Sequence, residues 1–367
     1  MEARAAALRL LQRAHGRGVS AVVESLWAVW RRIPEAVEAT RGRVEPAALQ
    51  RELRACPRLV VAASGNSAYP ARYLTWLLNT TTDVEATFVT PLEYALAPPR
   101  HNHVCLLVSQ GARRRDSFTV LEMATRLGVP LFVLCGEKAL EGRTVAAELP
   151  RERSLVTATL GEHAFLNITG TAAAFVAAWE AVTGLQGRPH EGFPAPCWEA
   201  VEAAVPPCLA PTGAVMALHG PAARCAAEAF AGYHCETLGP ALSYDMKNFT
   251  HGVWRGLGES GRAAVYLVGE RQTMPLARHI RERLAQHHDC AVVSAPDGVD
   301  ETAVPFFLFA AMTGAFVARA AHRANGHGDD ASPLTVDKTR YAGLLELTRF
   351  DVLAPDVETN QPHPDTP

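Results

Sequence analysis

The sequence predicts an α/β protein of two tandem units, each a parallel sheet flanked by helices in an αβα sandwich. Three observations carry this. Short apolar runs alternate with stretches of helical periodicity. The alternation occurs twice, on either side of a Pro-rich break. The 367 residues suffice for two domains of ordinary size, each with its own core.

Residues 1–53 place apolar side chains at helical spacing (Leu8, Leu10, Leu11, then Val22, Val23, Leu26, Val29) and read as an N-terminal helical segment. The first α/β unit spans 54–185. It runs from the strand RLVVAAS through the helix YPARYLTWLLN to the strands VEATFVT and HVCLLVSQ, then the helix DSFTVLEMATRLG and the strand VPLFVLCG. Strands alternating with helices imply parallel pairing, with helices covering both faces of the sheet. A Pro-rich linker with a short helix fills 186–211. The second unit, 212–325, repeats the pattern: AVMALHG, the helix AARCAAEAFAGYHCE, then AAVYLVGE, the helix MPLARHIRERLAQH, CAVVSA and an apolar helix. Two such units suggest an internal duplication. A tail, 326–367, ends in the polar PDVETNQPHPDTP, which reads as disordered.

With 48% hydrophobic and 20% charged residues and a formal charge of -3, the chain has the balance of an ordinary soluble protein. It lacks the excess of Lys and Arg that phosphate polymers attract, so nucleic acid is not an expected partner. The most apolar run, 304–320, contains Pro305, Thr313, Gly314 and Arg319 and falls short of the roughly 20 residues a bilayer needs, so it reads as a buried helix. The first residues lack the continuous apolar centre and cleavage site of a secretory signal, although they are basic and Ala-rich; a cytoplasmic location is expected. Eight cysteines are scattered without a C-x-x-C pair, several within strand or helix patterns. Neither a disulfide framework nor a metal site is indicated.

Ligands of an open parallel sheet bind beyond the carboxyl ends of its strands, where loops and helix N-termini offer free N–H groups. Three segments qualify. In SGNSAY, Gly65 permits a tight turn, and Asn66 and Ser67 either cap the next helix or also aim donors at an anion. In SQGARRRDSF, Ser109 and Gln110 follow a buried strand, and Asp116 or Ser117 could cap the next helix. The arginines there read either as a solvated charge run or as a cluster for a carboxylate or phosphate. In YDMKNFTHGVW, residues 244–254, His251 supplies an imidazole suited to proton transfer and Glu236 lies 15 residues upstream. Taken alone that pair reads most plainly as a structural histidine, because only geometry turns a motif into a site.

Together these pieces resemble the SIS (sugar isomerase) family over about residues 55–345. The likeness is to the double-SIS isomerase half of glutamine–fructose-6-phosphate aminotransferase and to related deglycases and deaminases of amino-sugar catabolism. VVAASGNSAYPARYL resembles the family's first phosphosugar loop, and LLVSQGARRRDSFTVLEMATRLG its Ser-Gln-Ser-Gly-Glu-Thr strand, loop and helix. SYDMKNFTHG resembles its segment ending in His-Gly, and ANGHGDDASPLTVDKTR its ending, where Pro333 precedes Lys338 by five positions.

The resemblance implies that Glu236 moves a proton between C1 and C2, that His251 opens the sugar ring and that Lys338 reaches in from the tail. Gly65, Asn66, Ser67, Ser109, Gln110, Arg113, Arg114, Ser117 and Glu162 would bind substrate. The departures are specific. Gly111, Ala112, Arg113 and Arg114 replace the family's Ser-Gly-Glu-Thr, removing two phosphate-binding hydroxyls. Tyr233 stands where the family has a lysine, and an ungapped alignment would put Cys235 at the glutamate position; matching CET to the family's Lys-Glu-Thr selects Glu236. In 244–254, Tyr244 and Phe249 are expected to pack and Gly252 to turn a pocket-lining loop.

The function expected is a glutamine-independent SIS-type isomerase, deglycase or deaminase. It would act on an amino- or N-substituted sugar phosphate, as a homodimer, with neither metal nor organic cofactor. Two other readings stand beside it: a non-catalytic sugar-binding regulator, and a biosynthetic enzyme whose non-phosphorylated substrate presents a carboxylate to Arg113 and Arg114.

Overall fold

The computed structural model describes residues 20–160, 166–186, 192–209, 213–257 and 261–324. Residues 1–19 of the predicted helical segment, Glu162, and the tail with Pro333 and Lys338 lie outside the described residues.

Three helices come first: α1 (Ser20–Arg31), α2 (Ile33–Thr40) and α3 (Ala47–Ala55). The first sheet is built from β1 (Arg58–Ala62), α4 (Ala68–Thr81), β2 (Glu85–Val89), α5 (Pro91–Leu96), β3 (Val104–Val108), α6 (Arg115–Leu127), β4 (Leu131–Gly136), α7 (Val145–Glu148) and β5 (Ser154–Thr157), followed by α8 (Ile168–Thr183). Its order is β2-β1-β3-β4-β5, all parallel. The Pro-rich stretch holds the short helix α9 (Trp198–Ala204). The second sheet follows from β6 (Val215–His219), α10 (Arg224–Thr237), β7 (Leu242–Asp245), α11 (Met246–Thr250), β8 (Ala264–Gly269), α12 (Met274–Leu284) and β9 (Asp289–Ser294), and α13 (Val304–Ala324) closes it. Its order is β7-β6-β8-β9, again parallel. Two parallel sheets flanked by helices are therefore present, as the alternation predicts.

Several elements escape the periodicity argument, the short helices α5, α7 and α11 among them. β5 is only four residues long. α8 is Ala-rich and buried all round, so no 3.6-residue stripe marks it. β7 is an edge strand with polar residues, and it corrects the reading of 244–254 as a loop: Tyr244 and Asp245 end a strand, and Asp245 caps α11 by accepting from the N–H groups of Lys247 and Asn248 at 2.8 and 3.0 Å.

Strand alternation assigns the faces. In β1, Leu59 and Val61 point to one side, Val60 and Ala62 to the other. The Leu59 side joins α4, α8, α10 and α13 and the inward side of the second sheet (Ala217, Tyr266, Val268) in one cluster. The core is thus continuous across the two units rather than separate, with a shared helical layer between the sheets. Each outer face has its own smaller cluster: Val120 and Met123 of α6 cover the first sheet, and Met274 and Ile280 of α12 the second. α13 is the apolar helix of 304–320, long and apolar enough to cross a membrane but with 78% of its apolar window buried inside the protein. Cys105, Cys135 and Cys225 are buried free thiols, and burial pushes the Cys105 and Cys135 thiols up to about 12.

Candidate functional site

The carboxyl ends of β1 and β3 form the first crevice. After β1 the backbone turns at Gly65, whose φ of +56° places it in the left-handed region, as the tight-turn expectation requires. Ser64 and Ser67 occupy N-cap positions, but neither side chain makes a capping bond. Asn66, Ser67 and Gln110 instead line a cavity of about 20 Å³ with Asn167 and Thr171. That is room for one water. The Asn66 Oδ1 is buried without a hydrogen-bond partner among the described residues, an acceptor that a ligand hydroxyl or a water would satisfy.

After β3, the side chains of Ser109 and Gln110 are engaged within the protein. Ser109 Oγ accepts from the Ala112 N–H at 3.2 Å and from the Ser117 hydroxyl at 3.4 Å, which brings two of the predicted residues together. The Gln110 amide donates to the Gly170 carbonyl at 2.5 Å, tying this loop to α8. Ala112, where the family has glycine, sits at φ +45° and is fully buried. The cap of α6 is Arg114, with no side-chain bond, which corrects the expectation of Asp116 or Ser117. Asp116 accepts from the Ser64 hydroxyl at 3.3 Å instead, and Ser117 turns to Ser109. Arg113 and Arg114 are exposed, and no ion pair engages them among the described residues.

The last turn of α10 approaches this crevice through Tyr69. A Cβ on Gly232 would lie 1.9 Å from the Tyr69 hydroxyl, so the phenol rests directly on the helix backbone. The Tyr69 ring meets Tyr233 edge-on, centroids 5.9 Å apart, and the Tyr233 hydroxyl donates to Thr171 Oγ1 at 3.4 Å. Residues four apart share a helix face, so Glu228, Gly232 and Glu236 form one stripe toward α4. Glu228 pairs with Arg72 at 2.6 Å. Burial, followed by the nearby Glu236 carboxylate, raises the Tyr69 phenol well above its usual range, so it remains a protonated donor. The Cys235 thiol is engaged within the protein: it donates to the Ala241 carbonyl at 3.3 Å and accepts from the Ala241 N–H at 3.2 Å. Glu236 is exposed at the helix end.

His251 is not brought to this place by any contact in the described residues. It caps the C-terminus of α11, exposed, with its N–H on the Asn248 carbonyl at 3.1 Å. Phe249 packs, at 2% exposure, and Gly252 turns the chain at φ +154°. Among the described residues no group of His, Cys, Asp or Glu converges as a metal site. Sequence reasoning missed Tyr69, Asn167, Thr171 and the Glu228–Gly232–Glu236 stripe; the i, i+4 spacing of the two glutamates about a glycine was the available signal.

No family model matches this sequence, and no curated protein matches it. Solved structures do. Tagatose-6-phosphate ketose/aldose isomerase from Escherichia coli superposes with a TM-score of 0.58 at 13% identity, over 85% of this chain and 95% of that one. Glucosamine-6-phosphate deaminase from Thermotoga maritima superposes with a TM-score of 0.53 at 12% identity, over 84% and 95%. At such identity the likeness is one of fold. The chain has the fold of these phosphosugar enzymes, two tandem SIS-type α/β units.

Proposed function

We propose that this protein is an SIS-type enzyme that isomerises, deaminates or deglycates an amino- or N-substituted sugar phosphate by proton transfer between C1 and C2. The observation that supports the reading is the stripe on α10: Glu236, an exposed carboxylate, lies near enough to Tyr69 to act on its phenol, and Tyr69 follows the turn that carries Asn66 and Ser67. A carboxylate held next to a bound sugar suits proton abstraction from carbon next to a carbonyl, and positioning supplies much of the rate. The unpartnered Asn66 Oδ1 would take a sugar hydroxyl, and the free Arg113 and Arg114 the distal anion that the missing Ser and Thr hydroxyls would otherwise hold. The exposed His251 fits a homodimer in which the neighbouring chain completes each pocket.

The test is solvent deuterium incorporation at C1 or C2 of fructose, tagatose and glucosamine 6-phosphates and of fructosamine 6-phosphates, followed by NMR. Wild type should exchange one of them, and Glu236→Gln should lower the rate by about a hundredfold or more. Full exchange in that variant would sink the reading. A second reading, a sugar-binding regulator without turnover, draws on the internal commitments of Ser109 and Gln110. Saturable binding of a sugar phosphate with no exchange in wild type would favour it.

A further inference from the structure

The second unit has a crevice of its own beyond the carboxyl ends of β6 and β7. It is a cleft of about 770 Å³ closed on its other side by α4 and β2. In the first unit, the helix that follows the first strand opens beside an unfilled acceptor at Asn66. In the second, the equivalent position is already occupied from within. The Glu270 carboxylate, at the end of β8, overhangs Gly220, where a Cβ would come within 2.6 Å of its Oε1. It draws on the N–H groups of Ala222 and Ala223 that lead into α10. A phosphate entering here would meet a carboxylate where it needs donors.

The remaining charges cancel. Arg72 and Arg224 both close on Glu228, at 2.6 and 2.8 Å, and Asp245 adds a further carboxylate to the wall. What the cleft does offer is uncharged hydrogen bonding. The Ser243 Oγ is buried without a partner. His219 is 6% exposed, and its Nδ1 lies 3.0 Å from the Gly220 carbonyl. A carbonyl only accepts, so Nδ1 carries the proton and Nε2 is left as an acceptor on a residue that lines the cleft, with no hydrogen-bond partner among the described residues. Burial lowers the His219 pKa, which keeps this acceptor neutral. Trp76 supplies an apolar face, its ring held by stacking on Tyr73 at 6.3 Å and 21°. A flat aromatic surface flanked by neutral donors and acceptors, with both lining arginines drawn to Glu228, suits a ring bearing hydroxyls on its edge.

We infer that this cleft is a second binding pocket, for an unphosphorylated mono- or disaccharide, separate from the anion-facing crevice of the first unit. It requires no turnover and stands whether or not the first crevice is catalytic.

Isothermal titration of the full chain with D-glucose, N-acetyl-D-glucosamine and cellobiose tests it. At least one should bind saturably. Trp76→Leu should weaken that binding about tenfold, since a stacked aromatic is lost. Ser243→Ala, a milder change that checks against misfolding, should weaken it in the same direction. Glu236→Gln should bind as wild type does, and the corresponding sugar 6-phosphate should not compete. Absence of saturable binding for all three sugars would overturn the inference. So would binding that survives Trp76→Leu but is lost in Glu236→Gln, because the ligand would then sit in the first crevice.

Discussion

The contact between Tyr69 and Gly232 holds the two units in register at the candidate site, and it can be measured. A methyl group at position 232 would lie 1.9 Å from the Tyr69 hydroxyl, about 1.5 Å short of the 3.4 Å at which ordinary contact begins. The ring cannot swing aside freely, because it is 7% exposed and meets Tyr233 edge-on. Overpacking of this kind costs about 1–3 kcal/mol. Against it stands the gain of about 0.5–1 kcal/mol from replacing glycine by alanine within a helix. Gly232→Ala should therefore be destabilising by up to about 2 kcal/mol. Removing the hydroxyl removes the clash: with phenylalanine at 69, the nearest ring carbon lies 3.2 Å from the added Cβ, a fit that small shifts accommodate. In the Tyr69→Phe background, Gly232→Ala should be neutral or stabilising. Urea unfolding of the four proteins of this cycle, followed by circular dichroism, should give a coupling of about 1–3 kcal/mol. A coupling below about 0.5 kcal/mol, the scatter of independent sites, would refute the packing argument and with it the placement of Glu236 beside Tyr69.

Two further outcomes are expected. His234 is buried with its Nδ1 on the Gly239 carbonyl at 2.8 Å and its Nε2 unpartnered; burial first, then the Arg319 and Arg323 cations, lower its pKa to about 4. The folded value lies below the unfolded one of about 6.5, so the folded state resists protonation. This group's contribution is complete above pH ~6.5 and is lost as pH falls toward about 4. His234→Asn should flatten the stability profile over that window in acid titrations of unfolding, and an unchanged slope would count against the assignment. Ala112 at φ +45° should be least tolerant of branching: Ala112→Val should cost about 2 kcal/mol or more in thermal unfolding, because it adds left-handed strain to overpacking. Ala112→Gly should stay within about 1 kcal/mol of wild type, relief of strain offsetting the lost methyl burial.

The sequence made the sheets legible for a physical reason. Strands such as Val104–Val108 and Leu131–Gly136 are buried on both faces and so appear as unbroken apolar runs between helices. Strands of four residues carry no such mark, which is why Leu242–Asp245 and Ser154–Thr157 were invisible. The shared core was hidden for a different reason. Ala172, Ala173, Ala174, Ala177 and Ala178 of α8 let helices from both units approach closely, and that is a property of pairs of elements rather than of any single segment.

The candidate site divides along the same line. Ser67, Asn66 and Gln110 were findable because they sit where strands end, and loop position follows from the order of elements. What could not be read was which side of α10 faces the crevice, since Cys235 and Glu236 are adjacent and differ by about a quarter turn of helix. Their neighbours lie far away in sequence: Ala241 engages the thiol, and both residues act on the Tyr69 phenol, Glu236 the more strongly. The same helix turns Glu228 toward Arg72 and the second cleft at its other end. One face of one helix therefore carries both carboxylates, with a glycine between them where the units touch. A change at Gly232 should be felt at Glu236 and Glu228 alike, which joins the packing of the two units to the chemistry proposed for either end.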